Sequence, residues 1–240
     1  MQQREEVFAK LAEVYDPELD QSLTELGFIN QVAINGSDVT VSFRLPTYWC
    51  SPNFAFIMAE DIRDRISELP WVKKVAVCLE DHCASAEINE GVSNGKTFVE
   101  TFPDMSSGQL DELRKTFRVK AFVSRQERLL RHLIRLGFTH SSILDLTIRD
   151  LLELPNLESE GIMLTKQYLS IRQALGYDNE PKKIAFIQSD GKKLDLESFP
   201  GYLANIRRTR LSMEFNGHYC RGLFETRYSM EPLSELEVCK

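Results

Sequence analysis

Residues 28–45 read Phe28-Ile29-Asn30-Gln31-Val32-Ala33-Ile34-Asn35-Gly36-Ser37-Asp38-Val39-Thr40-Val41-Ser42-Phe43-Arg44-Leu45. Two β-rich runs, Phe28 to Ile34 and Val39 to Leu45, flank Asn35-Gly36. Both turn residues tolerate positive φ, as a tight hairpin requires. Upstream, Val7, Phe8, Leu11 and Val14 share one face at helical spacing, which predicts an amphipathic helix over about residues 3–15. Asp16-Pro17 ends it, because the residue before proline is pushed out of the α region. Downstream, Ser51 and Pro52 read as the N-cap and first residue of a second helix. That helix carries Phe54, Ile57, Met58, Ile62, Ile66 and Leu69, and Pro70 closes it. Trp71 to Leu79 alternates around Val75 and Val77 as a third strand. The order helix, strand, strand, helix, strand predicts an α+β fold class, with a small α/β domain at the N-terminus.

Asn89 to Gly95 is polar and turn-rich, and it sets the expected boundary. Residues 1–91 are then the first domain, and residues 92–240 a mainly helical domain with a short hairpin. Helices are expected over Leu110 to Phe117, Ser124 to Leu136, Ser141 or Ser142 to Leu154, Thr165 to Leu175 and Pro200 to Phe215. Ser189-Asp190-Gly191 marks the hairpin. Gly217 to Met230 has no clear period.

The 240 residues carry a net charge of −7. Such a chain has no global electrostatic pull toward nucleic acid or an anionic membrane. The start lacks the apolar core of a signal peptide, and no apolar run approaches the ~20 residues that span a bilayer. The expectation is a cytoplasmic protein with no nucleic-acid or membrane partner. A helix-turn-helix reading of residues 124–154 fails because Asp145, Asp150 and Glu153 on the second helix would repel phosphate. No Walker motif, dinucleotide loop, nucleophile elbow or H-E-x-x-H is present, so nothing points to a conventional enzyme.

The residues fit for chemistry gather around Leu45-Pro46-Thr47-Tyr48-Trp49-Cys50-Ser51-Pro52. A cysteine between a strand and a helix start faces unpaired N–H groups and the positive end of the helix dipole. Both favour the thiolate, the form that binds metal or attacks an electrophile. Carboxylates cluster in Asp16-Pro17-Glu18-Leu19-Asp20 and at Glu25, where the first helix stops. Beside Cys50, Asp16, Glu18 or Glu25 would bind a cation or handle protons; otherwise they cap a helix and face water. None of the five cysteines forms a C-x-x-C pair, so no self-contained zinc knuckle is expected. Asp81-His82-Cys83 offers Cys83 as a further ligand, although neighbours in an extended segment point to opposite sides. In Gly217-His218-Tyr219-Cys220-Arg221-Gly222, an extended chain would aim His218 and Cys220 the same way. That would bring an imidazole and a second thiolate to the Cys50 site. Cys50, Cys220, His218 and Cys83 are therefore the candidate metal ligands, and Cys50, Asp16 and Glu18 the candidate cofactor-binding set.

A helix, Asp16-Pro17-Glu18, Leu26-Gly27-Phe28-Ile29, a hairpin and a Thr47-x-x-Cys50 element before a helix form a pattern. It resembles the small iron–sulfur cluster assembly domain of the SufT-like and phenylacetate-oxygenase-associated kind, over residues 3–91. Asp16, Pro17, Glu18, Gly27, Thr47 and Cys50 fit the family motif, while Ser51 stands where the family usually has proline. The resemblance implies a maturation factor that is not an enzyme and that handles iron or a transient iron–sulfur cluster. Its partner would be a client metalloprotein, perceived by the helical domain, with a homodimer as a further assembly. Long two-domain forms resemble accessory proteins of multicomponent di-iron monooxygenases, which would make such an enzyme the client. The alternatives are a metal-independent protein-binding chaperone and a thiol-dependent enzyme using Cys50.

Overall fold

The computed structural model describes residues 2–105, 109–155 and 157–228. Its elements in chain order are α1 (Gln2–Leu11), β1 (Tyr15–Asp16), β2 (Gln21–Ser22), β3 (Ile29–Asn35), β4 (Asp38–Arg44), α2 (Pro52–Ser67), β5 (Lys74–Glu80), α3 (Ser85–Ser93) and α4 (Phe98–Thr101). After a short 3₁₀ turn come α5 (Gln109–Arg135), α6 (His140–Asp145), α7 (Ile148–Glu153), α8 (Ser159–Ala174) and α9 (Phe199–Tyr228). The fold is α+β, as the order of elements predicts. The chain divides into two compact units. The first takes in Met1–Glu112 and includes the chain again from Phe215; the second is Leu113–Glu214.

In the first unit, β3 and β4 pair antiparallel around Gly36, which sits at φ 62°. A glycine meets that left-handed requirement without strain. β4 then pairs parallel with β5, and α2 is the crossover between them. A parallel pair needs such a connection. Helix α2 begins at Pro52 and buries Ala55, Phe56, Ile57, Met58, Ala59, Ile62 and Ile66. All of these but Ile57 form one core with Phe28, with Val41 and Phe43 from β4 and with Val7 and Leu11 from α1. The expected linker at residues 89–95 is helical through Ser93, and the first unit runs on past it.

The second unit has its own core of Phe122, Leu129, Leu130, Leu133, Tyr168, Phe186 and Phe199. Thr139 and Thr147 cap α6 and α7 with their hydroxyls, where Ser141 or Ser142 was the expected cap. The two helices expected within residues 110–136 are one, α5, since neither glycine nor proline interrupts 109–135. The expected hairpin is reduced to its turn: Gly191 N–H bonds Gln188 O, and Ile187 pairs with Lys193 in a single bridge. Arg135 meets Glu160 at 3.2 Å, and buried Arg210 meets Glu127 and Glu214.

The largest departure is at the C-terminal end. Gly217 to Tyr228, which shows no period in the sequence, continues α9. Two glycines in a helix interior cost about 1 kcal/mol each relative to alanine, so packing must compensate. Gly217 is buried against Gln21: a Cβ there would lie 2.8 Å from Gln21 Nε2. Phe224 packs on Phe28 with ring centroids 5.1 Å apart.

Candidate functional site around Cys50

The loop from Leu45 to Ser51 joins β4 to α2 and carries Cys50. It has little regular structure of its own, so its shape depends on bonds from neighbouring segments. His82 supplies one. Its Nδ1 accepts from the Ala84 N–H at 3.1 Å, which leaves the proton on Nε2 to be donated to the Cys50 carbonyl at 2.7 Å. The Cys83 N–H donates to the Tyr48 carbonyl at 2.8 Å. Burial lowers the pKa of His82, which favours this neutral tautomer. Thr47 Oγ1 lies 3.1 Å from Cys50 Sγ. A hydroxyl can donate to a thiolate or to a metal-bound sulfur. Ser51 sits at the N-cap of α2 but makes no side-chain cap bond. Beside the cysteine, Tyr48 is 47% and Trp49 76% exposed.

Asp16 is buried, at 8% exposure. Its Oδ1 accepts from the N–H groups of Glu18 at 2.9 Å and Leu19 at 3.0 Å, holding the turn after α1. Burial raises its carboxyl to about 6 despite those two bonds. A carboxylate at that cost is unusual for a mere cap. Glu25 is exposed and lines a separate cleft with Arg221, Phe224 and Glu225.

Cys220 is half-buried on α9 and packs, like Cys50, against the first unit's core. Its thiol is pushed up to about 11, first by burial and then by the negative charges of Asp16, Cys50 and Glu18. All three act on Cys220 in the same direction as its burial. His218 does not join them. The expected extended segment is a helix, where residues two apart diverge by about 200°, and His218 is exposed. Cys83 is also exposed, and its backbone rather than its thiol contacts the Cys50 loop. Among the described residues no three His, Cys, Asp or Glu side chains form a group able to hold a metal ion.

Two further residues were missed by sequence reasoning. Arg227 pairs with Asp81 at 2.6 Å and donates to the Asp81 carbonyl at 3.1 Å. Tyr228 donates to Asp81 Oδ2 at 3.0 Å, and its ring lies under the Arg44 guanidinium at 5.0 Å. Asp81 adopts φ 52° and immediately precedes His82. The end of α9 thus fastens the turn from which His82 reaches Cys50. No sequence signal marks this, because the partners are 146 residues apart.

A family model described as iron–sulfur cluster assembly protein matches residues 4–77. An uncharacterised protein of Methanocaldococcus jannaschii is 34% identical over 89 residues, which is 36% of this chain and 90% of that protein. The chain belongs to the iron–sulfur cluster assembly protein family. The iron–sulfur cluster carrier protein of Synechocystis sp. is 44% identical over 71 residues, 30% of this chain. The chain spans 20% of the length of that carrier protein. Asp16, Glu18, Thr47 and Cys50 fall inside the family's matched segment, while His82, Arg227 and Cys220 lie outside it. The family match thus falls within the unit that holds Cys50. Among the described residues no helix is long and apolar enough to cross a membrane.

Proposed function

We propose that this chain takes iron or an iron–sulfur cluster onto Cys50 as transient cargo and passes it to a client metalloprotein. One observation carries the reading: Cys50 sits on a loop braced from outside by His82, with Thr47 Oγ1 3.1 Å from its sulfur. Membership of the assembly family supports it, as does likeness to a protein named as a cluster carrier. Exposed Tyr48 and Trp49 give a client an aromatic surface beside the sulfur. The second unit would recognise the client, and a di-iron monooxygenase is the client class to test by co-purification.

A thiol-dependent enzyme fits less well. Such a mechanism needs a base at the sulfur. Both ring nitrogens of His82 are engaged by backbone groups instead. The deciding experiment is anaerobic reconstitution with iron and sulfide, comparing wild type with Cys50→Ala. Loss of bound iron and of visible absorbance in the variant is expected. Equal iron and absorbance in both would reject Cys50 as the carrier, and no bound iron in either would leave the metal-independent chaperone.

A further inference from the structure

We propose that the second unit binds a small multivalent oxyanion, a di- or tricarboxylate or a phosphate compound, in the cavity between α8 and the segment of residues 177–193. The site lies outside residues 4–77, the part the family shares. It stands independently of the Cys50 reading.

Charge is the first support. A cavity of about 310 Å³ is lined by Arg172, Lys183 and Lys193, with Asp178 as the acid among its lining residues. Three positive charges thus face one negative, in a chain whose net charge is −7. Among the described residues none of the three cations forms an ion pair, whereas neighbouring Lys192 pairs with Asp190 at 2.7 Å. Asp178 turns its Oδ1 to the Glu180 N–H at 2.8 Å. Arg172 is 3% exposed. Its Nη1 donates to the Ala185 carbonyl and its Nη2 to the Asp178 carbonyl, each at 3.1 Å, and its Nε has no partner. Neutral carbonyls orient a guanidinium without neutralising it. A buried cation is costly to hold without a counter-charge, and an anion in this cavity supplies one.

Shape is the second support. Asn179 Nδ2 donates to the Leu169 carbonyl at 2.9 Å, which ties the segment to α8, and Tyr177 Oη donates to the Ser189 carbonyl at 2.6 Å, which closes it on itself. The main chain of Lys183 is held on both sides: its N–H donates to Glu180 O at 3.0 Å, and its carbonyl accepts from the Ile148 N–H at 2.8 Å. Lys193 is bridged to Ile187. Both lysines therefore reach from fixed anchors, and less remains to be ordered when a ligand arrives. Ile184 and Ile187 add an apolar wall. An apolar wall with a few convergent charges is the make-up of a small-molecule pocket, and the volume falls at the low end of the usual range of roughly 300–1,000 Å³.

The test uses the full ¹⁵N-labelled chain, titrated separately with citrate and with inorganic pyrophosphate at constant ionic strength, so that general screening does not change. Saturable shifts of the amides of residues 177–193 and of the Arg172 Nε–H signal are expected with at least one of the two. Lys183→Ala and Lys193→Ala are each expected to weaken that binding about tenfold, and the double variant to show no saturation. Both lysines are exposed, so the fold does not depend on them. Saturation by citrate alone would identify a carboxylate site, and by pyrophosphate alone a phosphate site. Linear, unsaturated shifts with both probes in wild type, or an unchanged affinity in the double variant, would overturn the proposal.

Discussion

Asp16 is held ready for a charge it bears at a cost. Its carboxyl is raised to about 6 by burial, above its unfolded value of about 3.9. The folded state therefore binds the proton more tightly than the unfolded one. Stability is greatest below pH 4 as far as Asp16 is concerned, and it declines as pH rises through 4 to 6. By pH 7 the loss is on the order of 2–3 kcal/mol. Asp16→Asn keeps an oxygen for the Glu18 and Leu19 N–H groups and removes the charge. Urea unfolding of the metal-free variant is expected to show higher stability than wild type at pH 7 and a flatter profile between pH 4 and 6. An unchanged profile would mean that Asp16 does not titrate in this range. Asp16, Glu18, Thr47 and Cys50 all stand out in the sequence as candidates. The bracing role of His82 does not, because it uses a backbone carbonyl that any residue at position 50 would supply.

At the scale of elements, the hairpin and α2 follow from local rules. Asn35-Gly36 allows only a tight turn, and Pro52 opens a helix whose apolar period is clear. The second half of α9 follows from none. Its two glycines argue against a helix locally, and only contacts with Gln21 and Phe28 explain it. The glycines are not equivalent. A Cβ at Gly222 meets nothing within 4 Å, whereas one at Gly217 meets Gln21. Gly222→Ala is expected to raise stability by up to about 1 kcal/mol through helix propensity. Gly217→Val is expected to lower it, since a branched side chain cannot share the space taken by Gln21. Thermal melts of the two variants, moving in opposite directions, would establish that α9 is seated at Gly217. Two stabilised variants would show that it is not.

For the whole molecule, chain order and spatial order disagree. The first unit is interrupted by the 102 residues of Leu113–Glu214 and is completed only by the segment that follows. Removing everything from Phe215 onward would uncover Phe28 and take away the Phe224 ring and the bonds to Asp81 and Leu45. Burial of large side chains contributes roughly 1.5–3 kcal/mol each, so a loss of about 3 kcal/mol in the first unit is expected. Hydrogen exchange resolved along the chain would locate it at residues 28, 45 and 81–84. Protection unchanged at those positions would refute the seating.

The late arrival of α9 also gives the site a calendar. Domains generally fold as they are made, from the N-terminus. Here Cys50 emerges early, while the end of α9, which fastens its loop through Asp81, is not translated until the second unit is finished. A nascent chain therefore passes through a long interval with Cys50 present and its surroundings incomplete. The loop around Cys50 reaches the arrangement described here only after the ribosome has passed Tyr228.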